Sequence, residues 1–148
     1  MTNYQKWALT SLRVGLGWLF FYAGITKIFD PTWSAGVFLS NASTFPEMYE
    51  FFAHPDVLPI VNLLNEWGLT LLGVSLITGV LVRVSAPLGV LLMLLYYLAS
   101  LDFPMVGEHS YIVNDHIIKV LALLTLVAFN AGRYKSLGTV IRKGLKKK

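Results

Sequence analysis

The stretch WALTSLRVGLGWLFFYAGITKIF, residues 7–29, shows most directly how this chain folds. It is long and apolar, and its only charged residues are Arg13 and Lys27. A helix that spans a membrane needs about 17 to 25 such residues. At the helical repeat Gly17 and Gly24 lie on the same face as the two charges, and glycines allow a second helix to pack closely. The pattern predicts a membrane span whose charged face points into a helix bundle.

The composition of all 148 residues is typical of a membrane protein. Hydrophobic residues make up 55% of the chain and charged residues 14%, whereas a soluble domain carries about 25% charged residues. Three further segments are long and apolar enough to span, at residues 59–82, 84–101 and 112–129. The sequence therefore predicts an all-α membrane protein, a four-transmembrane-helix bundle that forms a single domain over residues 1–148. Residues 130–148 form a predicted basic cytoplasmic tail.

The connections between the predicted spans differ in length and in charge. Residues 30–58 form a long aromatic segment in which Asp30-Pro31 and Thr44-Phe45-Pro46-Glu47 have the pattern of helix starts. This pattern predicts a helical outer loop between the first two spans. Basic residues lie at the N-terminus, at Arg83 and in the tail, whereas the long loop and the connection before residue 112 carry the acidic residues. The positive-inside rule then predicts a multi-pass protein with both termini in the cytoplasm.

Five ionisable side chains of the predicted spans share the outer half of the membrane: Lys27, Glu66, Asp115, His116 and Lys119. Charge is costly inside a membrane, so each of these residues is a candidate for function. Glu66 and Lys119 have nearly the same depth, and helical phase turns both toward the bundle interior. We therefore expect these two side chains to face each other, either as a structural ion pair or around a bound molecule.

Structural roles are the alternative for several of the charged residues. Asn114 is a candidate N-cap, and Asp115 suits the positive end of a helix dipole. The amine of Lys27 can extend to the outer interface. Arg13 can bond to helix termini or to lipid phosphate and so hold the bundle together.

The residue inventory excludes several kinds of site. The chain has no cysteine, which excludes thiolate-ligated iron–sulfur clusters and c-type haem. His116 is the only histidine in a predicted span, so haem between two facing histidines is not expected. No group of side chains has the spacing of a transition-metal site, and we predict no metal. The basic tail marks a cytoplasmic face, so nucleic acid is not an expected partner.

A membrane quinone is the ligand that the remaining polar and aromatic residues fit. It needs an apolar slot, aromatic walls such as Tyr96 and Tyr97, and a donor or proton carrier near the interface. The candidate catalytic residues are Glu66, His116, Lys119 and Asp115, and the candidate cofactor-binding residues are Lys27, Tyr22, Asn62, Trp67 and Arg13. In this hypothesis Glu66 and His116 handle protons, while the two lysines attract an anionic substrate or stabilise a quinol anion.

Several short motifs, in order along nearly the whole chain, resemble the DoxX/DoxD family. Arg13-Val14-Gly15-Leu16-Gly17 and Tyr22-Ala23-Gly24-Ile25-Thr26-Lys27 resemble its first helix. Glu66-Trp67-Gly68, Leu72-Gly73 and the run from Leu76 to Arg83 resemble its second helix. Asn114-Asp115-His116 and Ala131-Gly132-Arg133-Tyr134 resemble its last helix and exit, closest to the DoxD branch. The family's usual aspartate after this exit is replaced here by Gly138.

The resemblance implies a small four-helix protein of the prokaryotic cytoplasmic membrane. DoxD is a subunit of thiosulfate:quinone oxidoreductase that works with a DoxA partner. By resemblance, this chain would pass electrons from thiosulfate or another reduced sulfur compound to membrane quinone, with a DoxA-like partner and lipid around it. Two other functions stay open, a non-catalytic scaffold that recruits soluble enzymes and a small carrier of an anion or sulfur species. Formation of a homo-oligomer is compatible with all three.

Overall fold

A computed structural model describes residues 1–107 and 109–137 of the chain. This part is mostly helical, with the elements α1 (Asn3–Ile28), α2 (Gly36–Ser40), α3 (Pro46–Ala53), α4 (Leu58–Thr78), α5 (Val82–Ala99), β1 (Leu101–Asp102), β2 (Met105–Val106) and α6 (Asp115–Ala128), then a 3-10 turn at Ala131–Arg133. The two strands pair as a small antiparallel hairpin. Of the predicted basic tail, positions 138–148, which include Gly138, lie outside the described residues.

The helix boundaries depart from the predicted spans where local capping decides them. The first helix begins at Asn3, not at residue 7, because Thr2 and Gln5 form a capping box. The second span ends at Thr78, not at residue 82, because Gly79 adopts a left-handed conformation with φ of 75°. The last helix begins at Asp115, not at residue 112, because the side chain of Asn114 caps it.

The loop before α4 contains two short helices, α2 and α3. The helix start predicted at Pro46 is where α3 begins, with the proline in its first turn. The helix start predicted at Asp30-Pro31 is wrong, because those residues form a turn and α2 begins only at Gly36. The side chain of Asp30 accepts hydrogen bonds from the amide and hydroxyl of Thr32 instead.

Within the described residues, three helices are long and apolar enough to cross a membrane: α1, α4 and α5. The fourth predicted span is shorter than expected, since α6 has 14 residues. At about 1.5 Å per residue it covers roughly 21 Å, against about 30 Å for the hydrocarbon core of a bilayer. The three long helices make this a multi-pass membrane protein.

Helices α1 and α4 are antiparallel and packed closely along their length. A Cβ atom on Gly17 would lie 2.8 Å from the backbone nitrogen of Ile77, and one on Gly24 would lie 2.8 Å from the carbonyl oxygen of Glu66. A Cβ atom on Gly73 would collide with the backbone of Phe21. The predicted close contact through these glycines is confirmed, and it directs Lys27 into the bundle.

The second helix pair is formed by α5 and α6, and apolar side chains join the two pairs. Phe20, Leu76, Leu123 and Leu126 are almost fully buried at this centre. We call the end of the bundle that carries α2, α3 and the hairpin the loop end. A second apolar cluster at the loop end packs α2 and α3 against the end of α5.

Candidate functional site

The amine of Lys27 is the centre of a polar cluster near the loop end of the bundle. Lys27 Nζ donates to Asn65 Oδ1 at 3.0 Å and to the hydroxyl oxygen of Tyr96 at 3.3 Å. The Asn65 amide nitrogen also donates to the Tyr96 hydroxyl oxygen. The same amine lies 4.5 Å from the centre of the Trp33 ring, a cation–π distance. Three long helices thus each supply one hydrogen-bonding member, and both hydrogen-bond acceptors are formally neutral.

His116 extends this cluster onto α6. Its ring stacks on the Tyr96 ring with centroids 5.6 Å apart. His116 Nδ1 lies 2.9 Å from the amide nitrogen of Asn114 and 3.3 Å from Asp115 Oδ1. Lys119 Nζ donates to Asp115 Oδ2 at 2.5 Å, one helical turn away. The carboxylate of Asp115 therefore balances the positive charge of Lys119 at the start of α6.

Two cavities meet at Tyr96. The smaller, which we call the polar chamber, has a volume of about 280 Å³, and the side chains of Lys27, Tyr96, His116 and Lys119 line it together with apolar residues. The larger, which we call the apolar groove, has a volume of about 1010 Å³ and runs between α4 and α5. Tyr96 and Phe38 line both cavities, and Asn65 lines the groove.

The apolar groove exists because α4 and α5 contact each other far less than α1 and α4 do. The two helices are held together near their connecting turn, where Ser75 Oγ and Ser85 Oγ are 2.6 Å apart. At the loop end α2 and α3 cover the groove, and Tyr49 donates to the carbonyl of Leu95 at 2.7 Å. Burial raises the pKa of Tyr49, so this phenol stays a hydrogen-bond donor.

The predicted pairing of Glu66 with Lys119 is wrong. Lys119 pairs with Asp115 on its own helix. Glu66 lies at the seam of α4 with α1, where its carboxylate interacts through space with Lys27. The two residues have nearly the same predicted depth in the membrane, but they belong to different helix pairs, because α4 packs on α1 whereas α6 packs on α5.

Four predicted ligand-binding residues line neither of the two cavities: Tyr22, Asn62, Trp67 and Arg13. Tyr22 and Trp67 are exposed on the helix surfaces, and Tyr22 stacks on Trp18. Asn62 holds the loop instead, because its amide oxygen accepts from the backbone of Ala35 at 3.0 Å and its amide nitrogen donates to Ser34. These positions suit packing and lipid contact.

Arg13 lies far from the polar cluster, at the opposite end of the bundle. Its side chain is 1% exposed. Its guanidinium donates to the carbonyl oxygens of Ala131 at 3.1 Å, Tyr134 at 3.3 Å and Lys135 at 3.3 Å. Arg13 therefore fastens the segment after α6 to α1.

Asn65 is the functional candidate that the sequence analysis missed. It is 7% exposed and bonds to both Lys27 and Tyr96. A signal was present, because Asn65 shares its helix face with Leu69, Leu72 and Leu76, which are all buried. A polar residue on such a face is buried, and it needs a polar partner.

The cluster has few groups that bind metals. Among residues 1–107 and 109–137, no group of three or more His, Cys, Asp or Glu side chains could hold a metal ion. The polar chamber is instead lined by amines, an imidazole and a phenol. Such groups bind anions and the carbonyl oxygens of organic ligands.

Comparison with known proteins bears on α1, α4 and α5. A family model described as DoxX matches residues 8–100. Neither the curated proteins nor the solved structures give a match. The matched part contains Lys27, Asn65 and Tyr96, whereas His116 and Lys119 lie beyond it. Because the match covers more than half of the sequence, the chain belongs to the DoxX family.

Proposed function

We propose that this protein is the quinone-binding membrane subunit of an oxidoreductase. The observation that carries the proposal is the position of Tyr96, whose side chain joins a hydrogen-bonded polar cluster to a long apolar groove. A membrane quinone has the same two parts, a head with two carbonyl oxygens and an isoprenoid tail.

The apolar groove fits a long hydrocarbon tail in size and lining. Pockets for small organic ligands have volumes of about 300 to 1,000 Å³, and the groove has about 1010 Å³. Its walls are largely leucine and valine side chains of α4 and α5. Polar residues line it at both ends, with Tyr49, Asn65 and Tyr96 at the loop end and Ser75, Thr78 and Ser85 near the turn between α4 and α5. A head group at the loop end would meet hydrogen-bond donors, while the tail lay along the helices.

The side chains around Tyr96 have distinct tasks in this proposal. The Asn65 amide and the Tyr96 hydroxyl orient the head by donating hydrogen bonds to its oxygens. The positive charge of Lys27 stabilises the negative charge that the head gains on reduction. His116 stacks on Tyr96 and is half-buried. Its imidazole can therefore exchange protons between the head group and water at the loop end. When bound, a quinone supplies an acceptor for two electrons and two protons. Glu66 is a second candidate proton carrier, through the seam beside Lys27.

The donor and the partner come from the resemblance to the DoxD branch. We propose thiosulfate or another reduced sulfur compound as the source of the two electrons, with a DoxA-like partner subunit. We also propose that α6 completes a four-helix bundle across the membrane, with the bilayer thinned around this short helix. Both termini would face the cytoplasm of a prokaryotic cell, as the charge pattern predicts.

Removal of one hydroxyl group tests the head-group site. Tyr96→Phe should weaken binding of decylubiquinone to the purified protein in nanodiscs by about tenfold, because a buried hydrogen bond is worth about 1 kcal/mol and the bond to Asn65 is lost as well. The neighbouring change Tyr97→Phe is the matched control, since the Tyr97 hydroxyl bonds to the carbonyl of Ile112 outside both cavities. Equal affinity of Tyr96→Phe and wild type would contradict the head-group site.

Filling the apolar groove tests the tail site separately. A Cβ atom on Gly68, which lines the groove, would have open space around it. Gly68→Phe should therefore fold and place a ring where the tail would lie. Wild type should bind decylubiquinone far better than tail-less ubiquinone-0, and the variant should lose most of this preference. Gly15→Phe, at a similarly open position on α1, should keep it. A preference that survives in Gly68→Phe would place the tail elsewhere.

A further inference from the structure

The polar chamber differs from the apolar groove in what lines it. Within the part of the chain that the structure describes, Lys27, Tyr96, His116 and Lys119 supply its polar atoms, and no carboxylate belongs to its lining. The other walls are apolar side chains of α1, α2, α4 and α5. Asp115 and Glu66 offset part of the positive charge of the two amines from outside the lining. The groups that face the space itself are two amines and an imidazole in otherwise apolar surroundings, and these favour negative charge.

The two amines keep hydrogen-bonding capacity for a ligand. An ammonium group has three donors. Lys27 donates to two neutral acceptors, Asn65 and Tyr96, and Lys119 donates to Asp115. The side chain of Asp115 is 65% exposed, whereas that of Lys119 is 19% exposed. Asp115 therefore lies toward the surface, and the lysine points inward from it.

The size of the polar chamber limits its ligand. At about 30 Å³ per water molecule, 280 Å³ corresponds to roughly nine waters. This space takes a small anion with some water but is too small for a quinone head with its tail. Tyr96 and Phe38 form the wall shared with the apolar groove.

We infer that the polar chamber between Lys27, His116 and Lys119 is a binding site for a small oxyanion, separate from the apolar groove. Each amine would donate to an oxyanion oxygen, with Tyr96 and His116 as further polar contacts. The site lies in this chain, so an anionic donor would be held here and not only by a partner subunit. The inference rests on the proposed function only where it assigns the anion to the electron-donor side.

Direct binding without quinone tests the inference. The full chain, purified into nanodiscs of zwitterionic lipid, is titrated with radiolabelled thiosulfate and, separately, sulfate. We expect saturable binding with one site per chain. Lys119→Met and Lys27→Met should each weaken it by about tenfold or more, because charge-assisted hydrogen bonds are lost. Lys6→Met, which removes the same charge near the N-terminus, should leave the affinity unchanged.

A second variant tests the site even if the lysine variants fail to fold. Ala23 lines the polar chamber, and Ala23→Leu should reduce anion binding while it leaves both amines in place. Absence of saturable binding to wild type, or an equal loss in Lys6→Met, would overturn the inference. If wild type binds thiosulfate or sulfate but no quinone, the anion site stands and the proposed function fails.

Discussion

Replacing Gly73 by alanine should destabilise the protein, although alanine is the better helix former. The added methyl group would collide with the backbone nitrogen and Cα of Phe21 on α1. A backbone cannot rotate away as a side chain can, so α1 and α4 would have to separate. Overpacking of this kind costs about 1 to 3 kcal/mol. For a chain of this size that corresponds to a fall of roughly 3 to 10 °C in the unfolding temperature.

A matched control lies on the same helix. A Cβ atom on Gly68 meets no atom within 4 Å, so Gly68→Ala should gain stability from helix propensity, by up to about 1 kcal/mol. The two alanine variants are compared by thermal unfolding in the same detergent, followed by tryptophan fluorescence. The close packing of α4 on α1 at Gly73 would be contradicted if Gly73→Ala were as stable as Gly68→Ala.

The contact through Gly17, Gly24 and Gly73 is the part of the fold that the sequence predicts best. Small residues and charges recur on one face of each helix, and only the bundle interior satisfies both kinds of residue at once. The three long spans are predicted by their length and apolar composition alone. The candidate N-cap Asn114 is confirmed at the start of α6. The predicted bounds of the spans are nevertheless too wide there and at the left-handed Gly79, because an average over apolar residues does not include local capping.

Helix neighbours are the information that the sequence does not contain. Depth and phase put Glu66 and Lys119 at one level, but they do not say which helices are adjacent. Lys119 lies in the pair formed by α5 and α6, and Glu66 lies in the pair formed by α1 and α4. Lys119 therefore lines the polar chamber and pairs with Asp115 instead of Glu66. The position of Asn65 depends on helix neighbours in the same way. Asn62 and Glu66 share the helical phase of Gly73, whereas Asn65 shares that of the buried Leu69, Leu72 and Leu76.

Replacing Arg13 by methionine should loosen the segment after α6. Three carbonyl oxygens, those of Ala131, Tyr134 and Lys135, would lose their donor at once. A buried polar group left without a partner costs about 1 to 3 kcal/mol, so we expect a loss of roughly 3 kcal/mol in the free energy of unfolding. Trypsin should also cleave after Arg133 or Lys135 sooner in the variant than in wild type.

A second arginine gives the control for this experiment. Arg83 is exposed and donates to the side chain of Asn130 at 2.6 Å. Arg83→Met should therefore cost less than about 1 kcal/mol and leave the trypsin cleavage rate near that of wild type, because a solvent-exposed bond is replaced by water. Arg13 was also a candidate ligand-binding residue. If Arg13→Met lost quinone binding while its stability and cleavage rate stayed those of wild type, the guanidinium would belong to a binding site and not to the attachment of this segment.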